Sequence, residues 1–156
     1  MIVRRATIDD AAELARVHHR SFETAYGRTR DLAQLEELWW GVFDLDHVSP
    51  FAAVDGDQIV GVLSAGPARD GSGEGELYVI YVDPDHWGSS AGQLLIDQAH
   101  DVLSAQFGEA VLTVLADNPR ARRFYERNGW VLEELVVEPH FGGQPTEVAR
   151  YRKGFV

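Results

Sequence analysis

The chain has 156 residues, 45% of them hydrophobic, with no cysteine and a formal charge of −11 at pH 7. That length and apolar share suit a single domain over residues 1–156 with its own core, and the lack of cysteine excludes disulfides, thiolate metal sites and cysteine nucleophiles. The acidic balance argues against nucleic acid as a partner, because such binding needs basic surface to displace counterions.

No run approaches the ~18 apolar residues of a membrane helix. The opening residues, with Arg4, Arg5, Asp9 and Asp10, lack a signal-peptide apolar stretch, so no membrane partner and a cytoplasmic setting are expected. Residues 2–6 read as a short strand. Thr7-Ile8-Asp9-Asp10 has the form of a helix start, with Thr7 capping and both aspartates favoured by the helix dipole. The first helix runs to about Tyr26 and turns Leu14, Val17, Ser21 and Phe22 inward. Residues 31–44 read as a second helix carrying Leu35, Leu38, Trp39 and Phe43. Residues 51–54 and 58–65 flank Asp55-Gly56-Asp57, a hairpin signal of the Asp-Gly type. The Gly/Ser-rich run 68–75 reads as a flexible connection.

Residues 76–82 form the next strand, rich in β-branched and aromatic types. Asp83-Pro84-Asp85 ends it, because Pro84 has no N–H to donate and biases Asp83 away from helix. The small-residue loop Gly88-Ser89-Ser90-Ala91-Gly92 then leads into a helix whose apolar stripe is Ala91, Leu94, Leu95, Val102, Leu103 and Phe107. Strand, loop and helix start together make an anion site. First-turn N–H groups have no helical partners, the dipole adds partial positive charge, and small side chains allow close approach. A phosphate or pyrophosphate is the ligand this predicts, although neither GxxxxGK[ST] nor GxGxxG is present.

Beyond this helix, residues 110–115 read as a strand and 118–128 as a helix with Ala121, Phe124 and Tyr125 inward. Gly129 fits a helix stop. Residues 130–138 form another strand, and 147–152 a last one antiparallel to its predecessor. The elements sum to an α/β (α+β) fold: a mixed, mostly antiparallel sheet of about seven strands with helices on both faces.

The stretch LTVLADNPRARRFYERNGW, residues 112–130, makes the reading specific. With the loop Trp87-Gly88-Ser89-Ser90-Ala91-Gly92 it resembles the GCN5-related N-acetyltransferases, which move an acetyl group from acetyl-CoA to an amine. The matching features are Asn118, Ala121, Phe124-Tyr125 and Gly129-Trp130, and the similarity spans most of the chain. Two positions depart from the family pattern: Trp87 replaces the usual Gln or Arg, and Ser90 replaces the first glycine, where a positive φ would be strained.

The resemblance implies direct transfer in a ternary complex, with acetyl-CoA as co-substrate and no metal. It makes Tyr125 the proton donor to the CoA sulfur and Asn118 a contact to the CoA arm. Asn118 and Tyr125 are seven residues apart, two helical turns or roughly 10 Å along one face. Ile80, Tyr81 and Val82 become the backbone segment that pairs with CoA, and Trp87, Gly88, Ser89, Ser90, Ala91, Gly92 and Gln93 the pyrophosphate loop. Glu76 is expected as the base: alternation puts it on one face with Tyr78, Ile80 and Val82, and it lies four residues before Ile80, as in the histone-acetylating branch. Another branch keeps its Glu five residues before the Asn, where this chain has Thr113.

The first two helices would cover the acceptor, so Tyr26, Trp39, Trp40 and Phe43 either line its pocket or pack in the core. Arg120, Arg122 and Arg123 either steer the CoA 3′-phosphate or form a solvated face. His18, His19, His47, His86, His100 and His140 show no metal-ligand spacing. The acceptor is open among small-molecule and protein amines, and so is the oligomeric state, a homodimer included. A non-catalytic acyl-CoA-binding or sensing module on the same fold is the alternative.

Overall fold

The computed structural model describes residues 1–27, 30–139 and 143–156. Its strands are β1 (Ile2–Arg5), β2 (Ser49–Asp55), β3 (Gln58–Pro67), β4 (Gly75–Val82), β5 (Glu109–Leu115), β6 (Val131–Glu138) and β7 (Thr146–Gly154). Its helices are α1 (Ala11–Tyr26), α2 (Leu32–Val42), α3 (Ala91–Ser104) and α4 (Pro119–Arg127), with single 3-10 turns at Ile8–Asp10 and Pro84–His86. The seven strands form one sheet in the order β1-β2-β3-β4-β5-β7-β6. Neighbours pair antiparallel except β4 and β5, which run parallel.

Two cores cover the two faces. On one, α3 and α4 bury Leu95, Ile96, Leu103 and Tyr125 against Leu63, Leu112 and Tyr151 of the sheet. On the other, Leu14 and Val17 of α1 and Leu35 and Trp39 of α2 close over Ala52 and Val62. The inward face expected for α1 is the buried one. On α2 the apolar stripe is narrower than expected: Leu35 and Trp39 are buried one turn apart, whereas Leu38 and Trp40 fall to either side and are exposed.

The hairpin register pairs Asp55 with Gln58, leaving Gly56-Asp57 as the two-residue turn. Between β3 and β4 the register shifts, so that Ser64 faces Val79 while Ala65 faces Leu77, and Tyr78 is the extra residue of a bulge. Among the described residues no helix is long and apolar enough to cross a membrane, and no group of three or more His, Cys, Asp or Glu could hold a metal ion. His140 lies outside the described residues.

Where β4 ends, Asp83 is 1% exposed and ties the turn to α1. Arg20 reaches its carboxylate at 2.6 Å and Arg16 at 3.1 Å, and the Asp85 N–H donates to it at 3.0 Å. Burial works to raise the Asp83 pKa, but the Asp85 N–H and the two guanidinium groups hold it below the usual carboxylate range. Asp83→Asn is expected to cost about 2 kcal/mol at pH 7, less than the roughly 3–5 kcal/mol of a fully buried pair, since Arg20 is 39% exposed. A depressed folded pKa stabilises above the unfolded value of ~3.9 and ceases to as pH falls below it through the folded one. Thermal melts at pH 7 and pH 3 check this: the gap between variant and wild type narrows at the lower pH.

Candidate functional site

Pairing of β4 with β5 is confined to Gly75–Ala110 and Glu76–Val111. Past that point the strands part, and a cleft of about 690 Å³ opens between residues 77–82 of one and 112–115 of the other. The facing edges carry backbone N–H and C=O groups turned toward the opening, a ready surface for an extended ligand arm. Ile80, Tyr81 and Val82 lie on this edge and line the cleft.

The loop after β4 closes one end. The Trp87 indole N–H donates to the Val82 carbonyl at 2.9 Å, folding its ring back along the strand, and the Arg120 guanidinium lies 4.0 Å from that ring's centroid. The chain then turns at Gly88 with φ 84°, where a side chain would be strained. This relocates the demand expected at the next departure from the family pattern: Ser90 has φ −75°, ordinary helical backbone, and carries no strain. Ser89 Oγ accepts from the Ala91 N–H at 3.2 Å. Trp87, Gly88, Ser89, Gly92 and Gln93 line the cleft. Ser90 does not line it, its hydroxyl lying 3.9 Å from Met1 Sδ, and Ala91, the first residue of α3, is fully buried. Gln93 bridges helices instead of facing a ligand alone, its amide donating to Asp97 and to Asn128 at 2.9 Å each.

α4 supplies the opposite wall. Asn118 is its N-cap, its Oδ1 accepting from the Ala121 N–H at 3.2 Å, while its Nδ2 donates to the Tyr26 hydroxyl at 3.0 Å across the cleft. Two turns on, Tyr125 is 8% exposed and lines the cleft. Burial pushes its phenol far above the ordinary value, with the nearby Tyr81 and Tyr26 adding to the shift. Tyr81 is raised by burial in the same way. Its ring is stacked on His18 at 4.4 Å, and His18 accepts from the Trp39 indole N–H at 3.3 Å. Burial, helped by Arg30 and His19, holds His18 neutral with a pKa of about 3.

Of the four aromatics considered for the acceptor pocket, Tyr26 alone lines this cleft. Trp39 is core, Trp40 is exposed and Phe43 packs at the far side of α2. The arginines also divide. Arg122 turns inward to Tyr151 Oη at 3.0 Å and the Ala116 carbonyl at 3.2 Å, so it braces the fold. Arg120 and Arg123 line the cleft together with Arg127, which the sequence reading passed over although it continues their spacing of i, i+3 and i+7. Tyr78 also lines the cleft and was not singled out. The bulge that turns it there is invisible in strand alternation.

That bulge changes the face expected for Glu76. Ile80 and Val82 pack with the α3 core and Val79 and Tyr81 with the α1 core, but Leu77 also packs with the α3 core, so the alternation reverses at Tyr78. Glu76 therefore does not share a face with Ile80 and Val82, and it does not line the cleft. Its carboxylate accepts from the Arg69 backbone N–H at 2.9 Å, Nη2 at 2.6 Å and Nε at 3.3 Å. The structure brings Tyr125 and Asn118 together with the loop. It holds Glu76 apart.

The profile of the Acetyltransferase (GNAT) family matches residues 11–130. A mycothiol acetyltransferase from Beutenbergia cavernae is 46% identical over 69 residues, 44% of this chain, and the match spans only 23% of that longer protein. Among solved structures, a ribosomal-protein-alanine N-acetyltransferase from Brucella melitensis superposes with a TM-score of 0.80 at 18% identity, covering 99% of this chain and 100% of that one. A PaiA N-acetyltransferase from Thermoplasma acidophilum in complex with coenzyme A gives a TM-score of 0.71 at 17% identity, with 98% of each chain covered. At these identities the structural likeness is one of fold.

Proposed function

Because the chain belongs to the acetyltransferase (GNAT) family, we propose that it transfers an acetyl group from acetyl-CoA to an amine directly, within one ternary complex. The observation that carries this reading is the buried, protonated Tyr125 on the wall of a cleft that opens where β4 and β5 part. In this reading the CoA arm lies along Ile80–Val82. The pyrophosphate rests on the turn from Gly88 to Gln93, where the first N–H groups of α3 converge. Asn118 fixes the start of α4 and so the height of Tyr125. The amine nitrogen attacks the thioester carbonyl carbon, a C–N bond forms and the C–S bond breaks. Tyr125 gives its proton to the leaving sulfur, and the phenolate then takes one from the acetylated nitrogen.

Incubation of the protein with acetyl-CoA and a panel of amines tests the reading. Acetylated amine and free CoA in equal amounts are expected. Acetyl-CoA binding without release of CoA would mark the chain instead as an acyl-CoA-sensing module.

For Glu76 we propose a structural role: its carboxylate anchors Arg69, whose guanidinium lies 5.2 Å from the centroid of the Tyr78 ring, and so shapes the bulge. Glu76→Gln is expected to leave the pH dependence of kcat/KM with its wild-type slope while lowering Tm by a few degrees. A variant whose rate converges with wild type only at high pH would return Glu76 to the role of base.

A further inference from the structure

Among the described residues the charged side chains lining the cleft are Arg120, Arg123 and Arg127, all from α4. The end beside α1 is uncharged, lined by Ser21, Thr24, Tyr26, Tyr78, Tyr81 and Thr113. Among the described residues no Asp or Glu lines the cleft. The five residues outside the description, Arg28, Thr29, His140, Phe141 and Gly142, include no carboxylate by sequence. In a chain of net charge −11, the cleft is thus lined by no anionic side chain among the described residues.

Resting on the acetyl-transfer reading, we infer that the acceptor is an α-amine beside an amide carbonyl, as at a peptide N-terminus or in an amino-acid amide, and not a polyamine or a lysine side chain. The proton count leads there. A neutral amine needs no base: the proton that Tyr125 gives to sulfur is replaced by the one lost from nitrogen, and nothing accumulates. An ammonium brings one proton more, which must leave before attack; no carboxylate among the described residues lines the cleft to receive it, and Glu76, near enough to act on Tyr78, is already held by Arg69. An ammonium also loses its water on entering this end without gaining an anion in exchange. The faces of Tyr26, Tyr78 and Tyr81 offset part of that loss, but they stabilise the protonated state, which cannot attack. Each further cation on a polyamine adds to the loss.

The acceptor must therefore arrive neutral, and its own pKa decides how often it does. At pH 7.5 an amine of pKa ~10.4 is neutral in about one molecule in 800, while an α-amine of pKa ~7.8 is neutral in about one in three, a difference of about 250-fold. The hydroxyls of Ser21, Thr24 and Thr113 suit the amide of such an acceptor, since they both donate and accept.

The test is kcat/KM of the full chain with tyrosine amide, Nα-acetyl-lysine amide and spermidine at pH 7.5 and pH 9.5. Acetyl-CoA binding is followed in parallel by thermal shift. Tyrosine amide is expected to exceed the lysine derivative about 10²-fold at pH 7.5. The gap is expected to shrink to about tenfold or less at pH 9.5, where the lysine amine is neutral more often. Equal or faster turnover of the lysine derivative or of spermidine at pH 7.5 overturns the inference and leaves acetyl transfer standing. Acetyl-CoA binding with none of the three amines acetylated overturns the acetyl-transfer reading, and the inference falls with it.

Discussion

Tyr125→Phe is expected to lower kcat about 10²-fold with the KM for acetyl-CoA within about twofold of wild type, the signature of losing one general acid. The substitution removes only the hydroxyl, and the ring keeps its packing beside Phe124 and Tyr151 at centroid distances of 5.5 and 6.4 Å. No hydrogen bond is lost within the protein, because among the described residues none is made by this hydroxyl. Stability should therefore hold within about 0.5 kcal/mol, the range of substitutions that break no specific feature. Burial raises the phenol pKa, so the group stays protonated across the neutral range and donates without a pH limb of its own below about pH 10. Single-turnover kinetics isolate the chemical step. Wild-type kcat in that assay would remove Tyr125 from the mechanism.

The sequence disclosed this site unevenly, and the reasons are local. Asn118 and Tyr125 were legible because helix geometry turns a spacing of seven into a shared face, and α4 keeps that geometry from its cap onward. The turn from β4 into α3 was legible for a similar reason: Pro84, the small residues and the stripe of α3 each constrain backbone within a few positions. The face of Glu76 was not legible because alternation holds only while pairing is regular. One extra residue at Tyr78 reverses every side chain beyond it, and nothing in the string LYVIYV marks where the bulge falls. Trp39 and Trp40 are adjacent and chemically alike, yet one is core and the other exposed, decided by a 100° step around α2 that depends on its docking on α1. Arg122 and Arg123 part in the same way, one drawn to Tyr151 on a strand 29 residues later. Contacts within an element could be read from spacing. Those set by how elements dock could not.

Gly92→Asp is expected to abolish stabilisation by acetyl-CoA. At a ligand concentration 100 times Kd, mass action adds about 2.7 kcal/mol to the wild-type protein, which for a domain of this size raises Tm by roughly 5–10 °C. Gly92 lies in the first turn of α3 and lines the cleft where the proposed pyrophosphate rests. A Cβ there would meet Phe124 at 3.5 Å and Val82 at 4.0 Å, ordinary contacts that the free protein accommodates. The free variant should therefore melt close to wild type, and Gly92→Ala should keep part of the ligand-induced shift. Aspartate adds what the site cannot accommodate: a carboxylate beside the phosphates, at the helix end whose dipole would otherwise serve them. It competes for the same N–H groups and repels the ligand's charge. Melting curves of the three proteins with and without acetyl-CoA decide the matter. An undiminished shift in Gly92→Asp would place the pyrophosphate elsewhere, and a lost shift beside a partial one in Gly92→Ala would fix it at the start of α3.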